Sequence, residues 1–170
     1  MSKGNIIRVT PVIDGTSGGL TAGDVLFNYT EIPNAVAVRG GVSRLVNISA
    51  YNRDAESSEF ELILHSTGGI NLGTNLHAQP DISDDNFASL NFLGHHLLQD
   101  NDWENVHSSA DSSLMYYTGA AKTNDPTRPI LLQADAGSRS VYCSGVAGDA
   151  SNFADAKDLV LIFHIEYLDV

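Results

Sequence analysis

One cysteine stands in the 170 residues, Cys143, so no disulfide can form within the chain. It sits in an apolar run, where a thiol serves as a small buried hydrophobe. Basic residues are also scarce: nine Lys and Arg face twenty-one Asp and Glu, a net charge of −12. Nucleic acid is excluded as a partner because its phosphates need Lys and Arg, and an anionic membrane surface is excluded on the same ground. A partner patch should be neutral or basic. No apolar run reaches membrane-span length, and the opening Met-Ser-Lys-Gly-Asn has no signal-peptide core. The expectation is a chain made in the cytosol and used there, or released without a secretion signal. Repeats, low-complexity tracts and linkers are absent, so residues 1–170 read as a single domain. That length buries a core without metal or disulfide support.

What is present is alternation. In the closing stretch, residues 158–168, Leu159, Leu161, Phe163, Ile165 and Tyr167 fall on one side of an extended chain. Val160, Ile162, His164, Glu166 and Leu168 fall on the other, apolar at first and then polar. This is the pattern of a long central strand with one face on the core and the other partly covered. Residues 6–13 read as an edge strand or one broken at Pro11, which cannot donate to a ladder. Short strands are expected at 24–28 and 35–38. Residues 42–51 form a strong strand, with Val42, Val46, Ile48 and Ala50 on one face. Residues 59–65 place Phe60, Leu62 and Leu64 inward and Glu59, Glu61 and His65 outward. The polar loop 52–58 makes an antiparallel hairpin of these two runs the simplest pairing. Ser83 is placed to cap a short helix over 84–90. Residues 72–78 are expected to be extended and 93–98 to form a strand. Residues 100–113 read as a surface loop, 114–118 as extended and 120–128 as a loop. Strands at 129–134 and 139–146 precede the closing one. The pattern predicts an all-β fold: an antiparallel β-sandwich, jelly-roll-like, with one short helix at most.

No residue set announces a chemistry. Gly15-Thr-Ser-Gly-Gly19 matches a nucleophile pattern formally. The segment after it, Leu20-Thr-Ala-Gly23, makes a poor helix, and no His precedes Ser17, so a flexible turn is the better reading. The six histidines lack zinc-ligand spacing. His95 and His96 on one strand point to opposite faces, while His65 and His164 approach one another only if their strands are neighbours. The acidic clusters Asp81, Asp84, Asp85 and Asp100, Asp102, Glu104 lack the calcium-loop register and read as solvated charge. The sequons at Asn28 and Asn47 fall in expected strands and read as chance matches. No catalytic, cofactor or metal residues are assigned. Trp103, with Tyr116 and Tyr117, is the candidate interaction surface, either as an interface anchor or as a sugar-stacking platform.

Several short pieces resemble small virion proteins of tailed bacteriophages. These are Arg8-Val-Thr-Pro-Val-Ile-Asp14, Gly23-Asp-Val-Leu-Phe27, Ile32-Pro-Asn-Ala-Val36 and Gly40-Gly-Val-Ser-Arg-Leu-Val46. Pro80-Asp-Ile-Ser-Asp84 and Asp158-Leu-Val-Leu-Ile-Phe163 complete the set. The polar middle, 100–128, departs from the pattern. The resemblance implies a non-enzymatic structural component of the particle, a capsid decoration or cement protein. Such a protein is expected to be made in the host cytoplasm, to sit on the phage head as a homotrimer, and to bridge major capsid protein subunits without a cofactor. The other expectation is a carbohydrate- or receptor-binding β-sandwich module of a tail or fibre.

Overall fold

The computed structural model describes residues 3–13, 19–54, 57–109, 112–118, 130–150, 153 and 155–168, with the backbone alone at 106–109 and 112–118. The Ser17 motif and the 120–128 loop lie outside the described residues. In chain order the strands are β1 (Gly4–Val9), β2 (Val25–Ile32), β3 (Val42–Asn52), β4 (Phe60–His65), β5 (Phe92–Leu98), β6 (Trp103–Ser109), β7 (Ser112–Thr118), β8 (Ile130–Gln133), β9 (Val141–Ala147) and β10 (Leu159–Tyr167). The α-helix, α1 (Asp84–Ser89), precedes β5.

The strands form two antiparallel sheets. The larger is ordered β1-β10-β3-β7-β6, with β8 also on β3; the smaller is β2-β9-β4-β5. β10 pairs with β3 along almost all of its length, so β7 and β8 share the other edge of β3. Ser49 pairs with Thr118 and Leu45 with Ile130, so β7 and β8 are two halves of one strand position interrupted by residues 119–129. With the β6–β7 hairpin set aside, eight strand positions remain. The first pairs with the eighth, the eighth with the third and the third with the sixth; the second pairs with the seventh, the seventh with the fourth and the fourth with the fifth. That winding is a jelly roll.

The core lies between the sheets. Leu159, Leu161, Phe163 and Ile165 of β10 meet Phe60, Leu62 and Leu64 of β4 and Val141 and Cys143 of β9 in one buried cluster. Burial pushes the Cys143 thiol pKa well above its ordinary value, so it packs as a neutral hydrophobe. β1 is an edge strand that stops before Pro11, and Ser83 caps α1 by accepting a hydrogen bond from the Asn86 N–H at 3.3 Å. The acidic Asp84 and Asp85 occupy the first turn of α1, the end their charge favours.

Several expectations fail. β3 and β4 do not form a hairpin but belong to different sheets, because each has an apolar face that must meet the other across the core. Asn47 pairs with His164 and Leu45 with Ile165, so Val46 is an extra residue in a β-bulge. The bulge reverses parity: Leu45 is buried and Val46 exposed, against the simple alternation. Residues 35–38 are not a strand; Asn34 at φ 54° turns the chain there. Residues 100–113 are not one loop but a 3-10 turn at Asp100–Asp102 leading into the β6–β7 hairpin. Residues 72–78 contain no strand, and β2 runs past the expected 24–28 to Ile32.

The connection 66–91 folds back over the outer face of the smaller sheet. Ile70, Leu72, Leu76, Ile82 and Leu90 pack there on Val25, Ile63 and Val146 in a second cluster. Asn28 ties the connection down: its Oδ1 accepts from the Leu72 and Gly73 N–H groups at 3.0 and 3.2 Å, and its Nδ2 donates to the Gly73 carbonyl at 3.0 Å. Inside the sandwich, the Phe27 ring occupies the space a Cβ would need at Gly145. Gly145→Ala should therefore overpack the core and cost about 1–3 kcal/mol. Thermal melts should show this as a fall of about 2–4 °C per kcal/mol; an unchanged melting temperature would mean Phe27 moves aside freely.

Candidate interaction surface

Because side chains alternate, the residues of β10 that do not enter the core face outward. Pairing register sets their neighbours in rows: Ile6–His164–Asn47, Arg8–Ile162–Ser49 and Gly4–Glu166–Arg44–Leu131. Ile6 is 67% exposed, Leu131 54%, and Val46, lifted by its bulge, 62%. Ile6, Val46, His164 and Glu166 line a shallow groove with Gly4, Asn5 and Ile165. The His164 Nε2 lies 3.4 Å from the buried Ser49 hydroxyl. Arg44 bridges Glu166 at 3.2 Å in a partly exposed pair, which orders the rim more than it stabilises the fold.

The two outer faces thus differ in kind. The smaller sheet is covered over Val25, Ile63 and Val146 by its own chain, with Tyr29 and Phe92 exposed on its edge strands. The larger leaves Ile6, Val46 and Leu131 in solvent beside the Arg44–Glu166 pair, while Val160, Ile162 and Ser49 of the same face are buried. Contiguous exposed apolar groups on a folded protein mark sites of association.

The sequence-derived surface is placed differently. Trp103 is only 6% exposed, and its indole N–H donates to the Ser58 carbonyl at 3.0 Å. It is a core residue, not a stacking platform, because β6 carries it into the sandwich rather than onto a loop. Tyr116 and Tyr117 lie on β7, paired with Tyr51 and Ala50 of β3; their side chains fall outside the described residues. Tyr117 is also the register partner of Trp103 across the β6–β7 ladder.

Other candidates resolve into structural roles. His65 is buried, not outward, and lies in a different sheet from His164, so the two do not meet. Its Nδ1 is 2.8 Å from the Thr67 carbonyl, which only accepts, so Nδ1 carries the proton. Its Nε2, at 3.2 Å, then accepts from the Ser144 hydroxyl. This is the hydrogen-bond order of a nucleophile and its base. Yet both residues are 0% exposed, and the Tyr142 ring stacks on the imidazole at 6.0 Å. A substrate cannot reach the hydroxyl, so the pair satisfies buried polar groups.

The Asp81 carboxylate accepts from the Thr74 N–H at 2.7 Å, which shapes its loop; the Thr74 hydroxyl and then this N–H hold its pKa low. Asp84 and Asp85 sit on α1 and Asp100 and Asp102 in the 3-10 turn. Among the described residues, no three His, Cys, Asp or Glu side chains are grouped to hold a metal. No described helix is long and apolar enough to cross a membrane. The chain matches no protein-family model, and comparison with curated proteins returns no match.

Two predictions separate these roles. Trp103→Ala should destabilise the fold by about 3–5 kcal/mol in denaturant melts, as a buried aromatic does; a variant as stable as the parent would put Trp103 on the surface. Burial holds the His65 pKa below its ordinary 6.5, with the Thr67 hydrogen bond opposing part of the shift. The unfolded chain then binds a proton near pH 6.5 that the folded chain refuses until lower pH, so stability should fall as pH drops through that window. Burial raises the Glu59 and Asp158 pKa values, which acts in the opposite direction, so the measurement is a difference. Between about pH 8 and pH 5, the melting temperature of the parent should fall more steeply than that of His65→Gln. Equal slopes would show that His65 does not titrate there.

Proposed function

We propose that the protein is a non-enzymatic virion structural protein, a capsid decoration or cement protein of a tailed bacteriophage. In this reading the outer face of the larger sheet seats on the head and bridges major capsid protein subunits. The observation that carries it is the contrast between the outer faces: one covered by residues 66–91, the other presenting Ile6, Val46 and Leu131 to solvent. Jelly rolls serve in capsids and in lectins, so the fold allows the reading without fixing it. The resemblance of Arg8–Asp14, Gly40–Val46 and Asp158–Phe163 to small phage virion proteins points the same way.

The chemistry suits the role. A net charge of −12 keeps the free protein dispersed before assembly. Exposed Ile6, Val46 and Leu131, interspersed with the Arg44–Glu166 pair, offer mixed apolar and polar contact area. Many copies, each a trimer at a local three-fold position, would hold the shell through effective concentration even where each contact is weak. This reading calls for no catalysis, and it takes the buried Ser144–His65 pair as packing. A sugar-binding module built on Trp103 loses its platform, because that ring is buried.

Purified protein mixed with expanded, DNA-free heads of the source phage should co-sediment to saturation. Antibody against the chain should label the heads of intact particles in electron micrographs. Val46→Asp, which places a charge at the exposed bulge without touching the core, should weaken binding tenfold or more, about 1.4 kcal/mol or above. A chain that stays monomeric at high concentration and ignores expanded heads would overturn the proposal, as would label confined to the tail.

A further inference from the structure

The other sheet carries a second feature, unrelated to docking. Tyr29 and Glu31 of β2 project from the outer side of the smaller sheet, at its rim, beside the covering connection. With Thr10, Val12, Asn71 and Leu76 they line a cleft of about 440 Å³. That is within the roughly 300–1,000 Å³ usual for small-ligand sites.

The Tyr29 ring is 41% exposed yet fixed in place. It packs edge-to-face with Tyr142 at a centroid distance of 6.2 Å and an interplanar angle of 66°, and Tyr142 in turn stacks on the buried His65. Gly68 closes over Tyr142 so tightly that a Cβ there would lie 2.5 Å from the ring. A tyrosine so backed presents an apolar face at small entropic cost.

Polar groups surround that face in two sets. Asn28 is fully engaged by Leu72 and Gly73 and serves as frame. The Tyr29 hydroxyl and the exposed Asn71 amide make no hydrogen bond within the described residues. The Glu31 carboxylate is anchored through one oxygen, Oε1, which accepts from the Ser140 hydroxyl at 2.6 Å. Its other oxygen is open to a ligand donor. A flat apolar face ringed by an amide, a hydroxyl and a carboxylate matches a ligand with an apolar C–H face and equatorial hydroxyls. The carboxylate and the chain's net −12 exclude anionic ligands.

We propose that the Tyr29 cleft binds a neutral or N-acetylated oligosaccharide, one sugar ring lying on the Tyr29 face, with Glu31 and Asn71 hydrogen-bonding its hydroxyls. The site is on the sheet opposite the proposed docking face and stands independently of it. On a seated protein it would point away from the shell.

The test is a microarray of neutral, N-acetylated and sialylated oligosaccharides probed with the full chain. Neutral or N-acetylated glycans should be retained and sialylated ones not. Tyr29→Ala should lose at least tenfold in signal, and Tyr29→Phe, which keeps the ring, should lose less. Asn71→Ala, at an exposed loop position, should also weaken binding and covers the case in which Tyr29→Ala fails to fold. Retention of no glycan, retention of sialylated glycans alone, or full binding by a folded Tyr29→Ala would overturn the site. Co-sedimentation of Tyr29→Ala with expanded heads separates the two proposals: it should be unchanged, whichever way the array reads.

Discussion

Phe163 and the other inward residues of β10 can leave water only if a second sheet lies against them. β10 is central in its sheet, held by β1 on one edge and β3 on the other, so its inner side chains are fixed in two dimensions before the second sheet is added. Phe60, Leu62 and Leu64 of β4 then close the core from across the sandwich. This is why β3 and β4 separate although they are consecutive. Paired edge to edge they would place both apolar faces on one side and leave nothing to cover them; placed in facing sheets, each covers the other.

That constraint also governs what remains outside. Once both inner faces are spent on the core, each sheet has an outer face to deal with. The smaller sheet uses its own chain: residues 66–91, pinned by Asn28, bury Val25, Ile63 and Val146. On the larger sheet Ile6 and Val46 stay exposed, although Val160, Ile162 and Ser49 of the same outer face are buried. The bulge at Val46 adds to this, because it turns an apolar side chain outward at a position where strict alternation would have buried it. Bulges recur where a sheet re-aims a side chain, and here the re-aimed residue stands beside the groove at His164.

Much of the fold was legible because alternation is local. The inward sets of β10 and β4, the break before Pro11 and the Ser83 cap all follow from residues within a few positions of one another. What alternation cannot supply is the identity of a strand's partner, hence the misplaced β3–β4 hairpin. It also cannot show a bulge, since the extra residue is defined only by the register on the opposite strand; strict alternation therefore puts Leu45 and Val46 on the wrong sides. Trp103 was misjudged for a related reason. Its acidic neighbours Asp100, Asp102 and Glu104 suggested a solvated loop, whereas the charges occupy the 3-10 turn and the outward side of β6 while the indole turns inward to Ser58. For the sites, the signal was weaker still. Tyr29 becomes distinctive only through Tyr142 and His65, which come from β9 and β4.

His65 links these layers. It ends β4, accepts a hydrogen bond from Ser144 on β9 and donates one to Thr67 at the start of the covering connection. The imidazole thus joins two core strands to the cover, and through Tyr142 it backs the ring of Tyr29. A buried neutral imidazole meets this need because it offers one donor and one acceptor at opposite ends of a flat ring. Leucine would fill the space but leave the Thr67 carbonyl and the Ser144 hydroxyl without partners, a penalty that grows with their burial. The geometry of a catalytic pair is therefore present here for reasons of packing. What distinguishes it from an active site is the absence of any path by which a substrate could reach the Ser144 hydroxyl.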